Sequence, residues 1–238
     1  LEGMAKKGES TIYGATPQCP PLANAGTSIE CLQGNRKRLE FVLTHPKIKT
    51  VIIAARWSLY LDGRFTSGGE AENNNNVPNL IGANGESLPL FSRRARVTFR
   101  KELSTLVERL LANGKHVVLV YPVPETGYDI PSTLALISTR GEDPASFTTS
   151  RTTYVERQSH ALRILNGLGN HPFLTRVYPD DVFCPDSRCL TYARGAPLYF
   201  DSHHLSIPGA QLLQPKLEPA IAGTHLRHPG GKSRASPI

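Results

Sequence analysis

Apolar positions along the chain follow two rhythms. "KTVIIAARW" from residue 49 and "KHVVLVYPVPE" from residue 115 are dense apolar runs of strand length, and "TRVYPDDVFC" from residue 175 reads as a third strand. The first ends abruptly in polar chemistry, and prolines end the second. Continuous apolar character over so few residues predicts strands covered on both faces, as in a parallel sheet. The other rhythm is helical. In "FSRRARVTFRKELSTLVERLLANG", Leu103, Leu106, Val107, Leu110 and Leu111 recur at three and four, and Gly114 supplies the stop. "IECLQGNRKRLEFVLTH" predicts a helix from about Ser28 to His45, and "RTTYVERQSHALRILNGLG" predicts another with a glycine stop. A terminal helix is expected in "LSIPGAQLLQPKLEPAIAG", broken by its prolines. Residues 1–9 read as the end of a helix stopped near Gly8, and "STIYGAT" as a short strand.

The segments between are richer in turn formers. Leu59 to Leu90 contains "SGGEAENNNNVPNLIGANGES" and should form a loop or a small hairpin. "TGYDIPSTLALISTRGEDPASFTTS" is expected to be a mobile excursion, and "LYF" near residue 199 a short extended piece. Strands alternate with helices throughout, with no internal repeat. That pattern predicts an α/β domain with a mainly parallel sheet covered on both sides. One domain is expected over residues 1–223, followed by a disordered basic tail at 224–238.

At 238 residues, 39% hydrophobic and 20% charged, the chain can bury a real core. No run is long and apolar enough to span a bilayer. The net charge of +7 draws attention to "GNRKRLE" and "FSRRARVTFRKE". Neither comes with a zinc-finger spacing, an aromatic RNA-binding motif or a phosphate loop, so no nucleic-acid partner is expected. Attraction to an anionic lipid or acidic glycan fits the charge better. Four cysteines form two close pairs, Cys19/Cys31 and Cys184/Cys189, each enclosing turn formers. Two loop-closing disulfides would imply an oxidising compartment; the alternative is four reduced thiols.

Ligands of such sheets gather at the carboxyl ends of the strands. Three polar constellations fall there: Arg56 and Trp57, then Tyr121, Glu125 and Tyr128, then "DSHH" at 201–204. A hydroxyl nucleophile needs a base within hydrogen-bond reach, and an imidazole needs an acceptor to fix its tautomer. Asp201 and His204 have the spacing for this, with His203 competing for the same role. On spacing alone, Asp201 could equally cap the following helix, with His204 on its exposed first turn.

The surrounding string "YFDSHHLSIPGAQLL" resembles the last block of the SGNH (GDSL-like) hydrolase and acyltransferase superfamily. More narrowly, it resembles the SGNH domain fused to membrane acyltransferases that O-acylate bacterial surface glycans. In the pattern Y-x-D-x-x-H-L-S-x-x-G-A, the matching residues are Tyr199, Asp201, His204, Leu205, Ser206, Gly209 and Ala210. "QCPPL" at 18–22, "VIIAARWSLYLDG" at 51–63, "VVLVYPVPETGYDIP" and the late cysteines fit the same narrower family, up to about residue 215.

The resemblance implies a flavodoxin-like three-layer sandwich. It also implies a Ser-His-Asp triad with Asp201 and His204 as acid and base, selecting His204 over His203. Its partners would be an acyl donor and a glycan acceptor, beside a membrane acyltransferase domain on the periplasmic side of the inner membrane. No cofactor and no metal are expected. The family's nucleophile lies in a G-D-S block at the end of the first strand. "GES" at 8–10 does not fit that place: "LEGMAKK" is no buried strand, and Cys19 follows too soon for the intervening helix. The expectation is therefore a chain that begins inside the first helix, with the nucleophile upstream and a gap left in the sheet.

A second departure lies at the next strand end, where the superfamily's G-x-N-D supplies an oxyanion donor. Here Ala54, Ala55, Arg56 and Trp57 stand in its place. Arg56 would hold the oxyanion or a substrate anion, or else pair structurally with a loop carboxylate. Trp57 would stack on a sugar if exposed and is core if buried. Glu125 and Tyr128 would line the acceptor site, and Tyr121 reads as core. The functional readings are an O-acyltransferase, an esterase of the same fold, or a catalytically silent glycan-binding module.

Overall fold

The computed structural model describes residues 11–65 and 77–222. The elements, in order, are α1 (Ile29–Thr44), β1 (Thr50–Ile53), α2 (Leu59–Asp62), β2 (Leu80–Ile81), β3 (Ser87–Leu88), α3 (Arg93–Ala112), β4 (His116–Val120) and α4 (Ile130–Thr139). Then come β5 (Thr148–Ser150), α5 (Arg151–Arg157), α6 (Ser159–Asn166), β6 (Leu174–Val177), α7 (Asp180–Phe183), β7 (Arg188–Leu190), β8 (Tyr192–Ala193), β9 (Ala196–Pro197) and α8 (Ile207–Ile221).

The centre is a parallel sheet in the order β1-β4-β6. Thr50 stands opposite His116, and Val117 opposite Leu174. The apolar run of β4 shows why both faces must be covered. Val117, Leu119 and Tyr121 join one core cluster, while Val118 and Val120 join the other. Successive strand side chains point to opposite faces, so an unbroken apolar strand feeds two layers. Leu39 of α1, Phe99, Leu103 and Leu110 of α3, and Ile164 and Leu165 of α6 cover the first face. Ile130 of α4, Tyr154 of α5, Phe183 of α7 and Leu213 of α8 cover the second. Each fully buried Leu or Phe contributes about 1.5–3 kcal/mol. The result is the three-layer α/β sandwich expected from the sequence.

Local chemistry sets the helix ends. Ser28, Ser92, Asp129, Ser150 and Ser206 each accept a backbone N–H of the first turn they precede. Gly114 follows α3 with φ of 69°. The four cysteines pair as Cys19–Cys31 and Cys184–Cys189.

Several expectations are corrected. β1 is not covered on both faces: Ile52 is 37% exposed, and Ile53 is the one buried residue of the strand. No gap interrupts β1, β4 and β6; it is the outer rims of β1 and β6 that lack a described strand neighbour. Residues 11–16 form no strand, and Ile12 and Tyr13 are exposed. The expected excursion after β4 instead contains α4, anchored by buried Ile130 and Leu134. The helix expected from 151 to 166 is two helices, parted at Gln158, whose buried amide accepts the Ser58 hydroxyl. α8 runs unbroken through Pro215 and Pro219, held by packing on β6 and β9 that outweighs the lost hydrogen bonds. The hairpin expected in the insertion is β2–β3. Residues 1–10, 66–76 and 223–238 lie outside the described residues, and with them the readings made of "GES" and of the tail.

Candidate active site

The segment between β9 and α8 folds back on itself. Ser206 N–H donates to the Leu198 carbonyl (3.0 Å), and Phe200 N–H to that of His204 (3.1 Å). Residues 201–203 form the tip. Asp201 is the organiser, because its Oδ1 accepts the backbone N–H of both His203 and His204, each at 2.7 Å. This is the local bonding that aspartate offers a turn. Its other oxygen, Oδ2, lies 2.6 Å from His204 Nδ1. One carboxylate thus shapes the turn and orients the ring that the turn carries. The cap of α8 is Ser206, so Asp201 is not a helix cap and His204 is not on a helix.

Burial works to raise the Asp201 carboxyl. The ring and backbone hydrogen bonds of His204, and the backbone of His203, outweigh it and hold the carboxyl below the usual aspartate range. His204 is the exposed member, with 58% of its side-chain surface accessible against 28% for Asp201. Phe200 lies against it with the rings parallel, 3° apart in tilt and 5.1 Å between centroids. Among the described residues, nothing is hydrogen-bonded to His204 Nε2. An imidazole with Nδ1 tied to a carboxylate and Nε2 open is the arrangement of a general base.

The two histidines are distinct. His203 is part-buried, with Nδ1 2.9 Å from Ser202 Oγ and Nε2 3.2 Å from Arg56 Nη1. Burial first, and then the Arg56 guanidinium, push this imidazole down to about 4 against the opposing pull of Asp201. Both its ring nitrogens are occupied, whereas His204 keeps one open.

Arg56 leaves the end of β1, and its Nε donates to Glu125 Oε1 at 2.9 Å. Arg157, the last residue of α5, donates through its own Nε to Glu125 Oε2 at 2.9 Å, and also to the Gly63 carbonyl. Glu125 is only 6% exposed. Its burial works to raise the carboxyl; Arg157 and Arg56 together outweigh that and hold it below the usual range. Arg56 is therefore paired with a loop carboxylate, the structural alternative that the sequence left open. Next to Glu125, Thr126 clamps the loop from below: its N–H donates to the Ser202 carbonyl at 2.9 Å, and its hydroxyl is equally close.

One expected site residue lies elsewhere. Trp57 is 1% exposed, donates its indole N–H to the Val120 carbonyl (2.9 Å) and meets Phe99 edge-on. It is a core residue and offers no face to a sugar. Tyr128 packs edge-on against Phe147, and Tyr121 is buried in the core as expected. Arg157, Thr126 and Phe200 are the residues that sequence reasoning missed. A second pair, Asp62 and His160, lies on α2 and α6, with His160 Nδ1 2.7 Å from Asp62 Oδ1. For a metal, Asp201, His203 and His204 each offer one ligand atom, all within 4.8 Å of one another. Both nitrogens of His203 and Nδ1 of His204 already have partners, so a cation seated there would break existing contacts.

A parallel α/β sandwich with an Asp–His dyad on the loop before its last helix is one frame in which an imidazole can serve acyl-transfer chemistry. The chain belongs to the SGNH domain family, described as fused to AT3 domains, whose family model matches residues 1–219. Among solved structures, it is similar to the periplasmic domain of a lipopolysaccharide acetyltransferase of Salmonella ser. Paratyphi A. The likeness has a TM-score of 0.58 at 16% identity, over 93% of this chain and 76% of that one. At that identity it shows the shared fold. No curated protein matches the chain in sequence. No helix among the described residues is long and apolar enough to cross a membrane.

Proposed function

We propose that this chain is the extracytoplasmic part of an O-acyltransferase that moves an acyl group, such as acetyl, onto a hydroxyl of a bacterial surface glycan. The carrying observation is the 2.6 Å contact of His204 Nδ1 with Asp201 Oδ2, which leaves Nε2 open. His204 takes the proton of a serine hydroxyl as that oxygen attacks the acyl donor. It returns the proton to the leaving group, then repeats the cycle with the glycan hydroxyl. Asp201 keeps the tautomer and steadies the imidazolium. The serine is supplied from the N-terminal side, ahead of the described residues, as the family's G-D-S block would place it. Family membership and the periplasmic neighbour support a position on the periplasmic side of the inner membrane, beside a membrane acyltransferase domain.

The exposure of His204 favours a second reading, hydrolysis of the same acyl-enzyme by water. Turnover of p-nitrophenyl acetate, with and without an oligosaccharide acceptor, tests both. The acceptor should gain the acyl group, and His204→Ala should abolish turnover. Release of free acetate only would leave the esterase, and retained turnover in the variant would remove His204 as the base.

A further inference from the structure

We propose that Arg157, Glu125, Arg56 and His203 form a positioning chain that sets the turn bearing Asp201 and His204, with His203 a neutral acceptor for Arg56 and not a second base. The inference deepens the acyl-transfer reading, because it concerns how the same base is held. Its test needs no turnover, so the two can fail separately.

The tautomer follows from donor and acceptor inventory. A guanidinium has only N–H donors. His203 Nε2, 3.2 Å from Arg56 Nη1, must therefore accept, and cannot itself carry a proton. The ring's one proton is then on Nδ1, where Ser202 Oγ at 2.9 Å accepts it. A doubly protonated His203 would point an N–H at a guanidinium. The charged and titratable groups facing this ring are Arg56, Glu125, Asp201 and His204. Of the two adjacent histidines, one is locked neutral and the other keeps an open nitrogen.

The rest of the chain explains why Arg56 stays put. Its Nε is committed to Glu125, whose second oxygen is committed to Arg157; the side chains of Glu125 and Arg157 are 4% and 7% exposed. A buried carboxylate between two guanidinia tolerates little displacement, because either cation's departure strands a buried charge. Arg157 also grips the Gly63 carbonyl. The ends of β1, β4 and α5 are thereby joined to a loop that is 147 residues from Arg56 in sequence. Thr126 adds a backbone clamp on Ser202 from the residue next to Glu125. With residues 202 and 203 fixed, the N–H groups that Asp201 accepts are fixed, and so is the carboxylate that aims the His204 ring.

The test is nitrogen–proton NMR of the histidine-labelled 238-residue protein, with His203→Gln and His204→Gln assigning the two rings. At pH 7 His203 should show a proton on Nδ1 and none on Nε2. The His204 Nδ1 proton, held by Asp201, should exchange slowly with water. Arg56→Met and His203→Leu should each speed that exchange at least about tenfold, the scale of one lost hydrogen bond to a charged group. His203→Gln, whose amide oxygen can still accept from Arg56, should restore slow exchange. If Arg56→Met does not fold, the His203→Leu and His203→Gln pair decides. A proton on His203 Nε2, a doubly protonated His203 at pH 7, or unchanged His204 exchange in His203→Leu would overturn the proposal. An intact tautomer in a protein without acyl turnover would leave the positioning chain standing and remove the proposed function.

Discussion

Asp201 grips His204 at two points, the backbone N–H at 2.7 Å through Oδ1 and ring Nδ1 at 2.6 Å through Oδ2. The same side chain decides where the imidazole is and which nitrogen it offers. Asp201→Asn keeps the shape and can keep the backbone contact, but its amide can present an N–H to Nδ1 and select the wrong tautomer. In the encoded protein, kcat for acyl turnover should fall about 10⁴-fold with little change in KM, the scale such changes have in serine hydrolases. A loss below tenfold would show that Asp201 only shapes the turn.

Glu125→Gln removes the one carboxylate between Arg56 and Arg157. Leaving two buried guanidinia without it should cost about 3–5 kcal/mol. In a chain of this size, that lowers the melting temperature by roughly 10 °C. Differential scanning calorimetry of variant and parent decides. An unchanged melting temperature would mean that the pair is solvated in solution.

Acid should act on His203 before it acts on the carboxylates. The folded protein holds this imidazole at about 4, whereas the free side chain titrates at 6.5. Below 6.5 the unfolded chain takes up a proton that the folded chain refuses, so the contribution to stability is complete above 6.5 and drains away as pH falls toward 4. Asp201 and Glu125 are also held below their ordinary values, which are 3.8 and 4.5, so their contribution is lost only at lower pH, as acid passes those values toward the depressed ones. Urea midpoints at pH 7, 6 and 5 should fall more steeply for the parent than for His203→Gln. Parallel slopes would contradict the locked neutral ring.

Gly209 stands where the first turn of α8 touches the strand-end backbone. A Cβ there would be 2.1 Å from the Leu198 carbonyl oxygen and 3.0 Å from its carbon. Neither is a flexible side-chain tip, so the helix or the loop must shift. Gly209→Ala should destabilise by about 1–3 kcal/mol, and it should move the His204 resonances, since Leu198 anchors the same loop. Chemical denaturation and a two-dimensional NMR spectrum check both.

Trp57 is the single tryptophan and should report on the core alone. Its emission should be blue-shifted, resist acrylamide quenching and ignore added oligosaccharide. Ready quenching, or a shift on adding glycan, would restore it as a binding residue.

Much of the frame was legible because β4 and α3 announce themselves locally, one by an unbroken apolar run and the other by repeats at three and four. The dyad was legible because Asp201 and His204 are close in sequence and sit in a family-like string. Arg157 was not. It is one basic residue among many on a helix, and only the fold brings it to Glu125, 32 positions away. Trp57 stayed open between sugar stacking and core because a strand-end position says nothing of exposure. The prolines of α8 were over-read, since burial of Leu213 and Ala220 against the sheet can outweigh a propensity. Exposed Ile12 and Tyr13 show the reverse, apolar residues that take no part in a described strand.

Among the described residues β1, like β6 at the other side, leaves the sheet with an unfinished border. Backbone donors and acceptors of Thr50–Ile53 that do not face β4 meet no described strand, and Ile52 adds an apolar side chain nearby. Such a border is adhesive: it can template a further strand, from the same polypeptide or from a neighbouring molecule. Concentrated solutions of the isolated domain should therefore tend to associate through this margin, and a charged residue in place of Ile52 offers a direct way to keep it monodisperse.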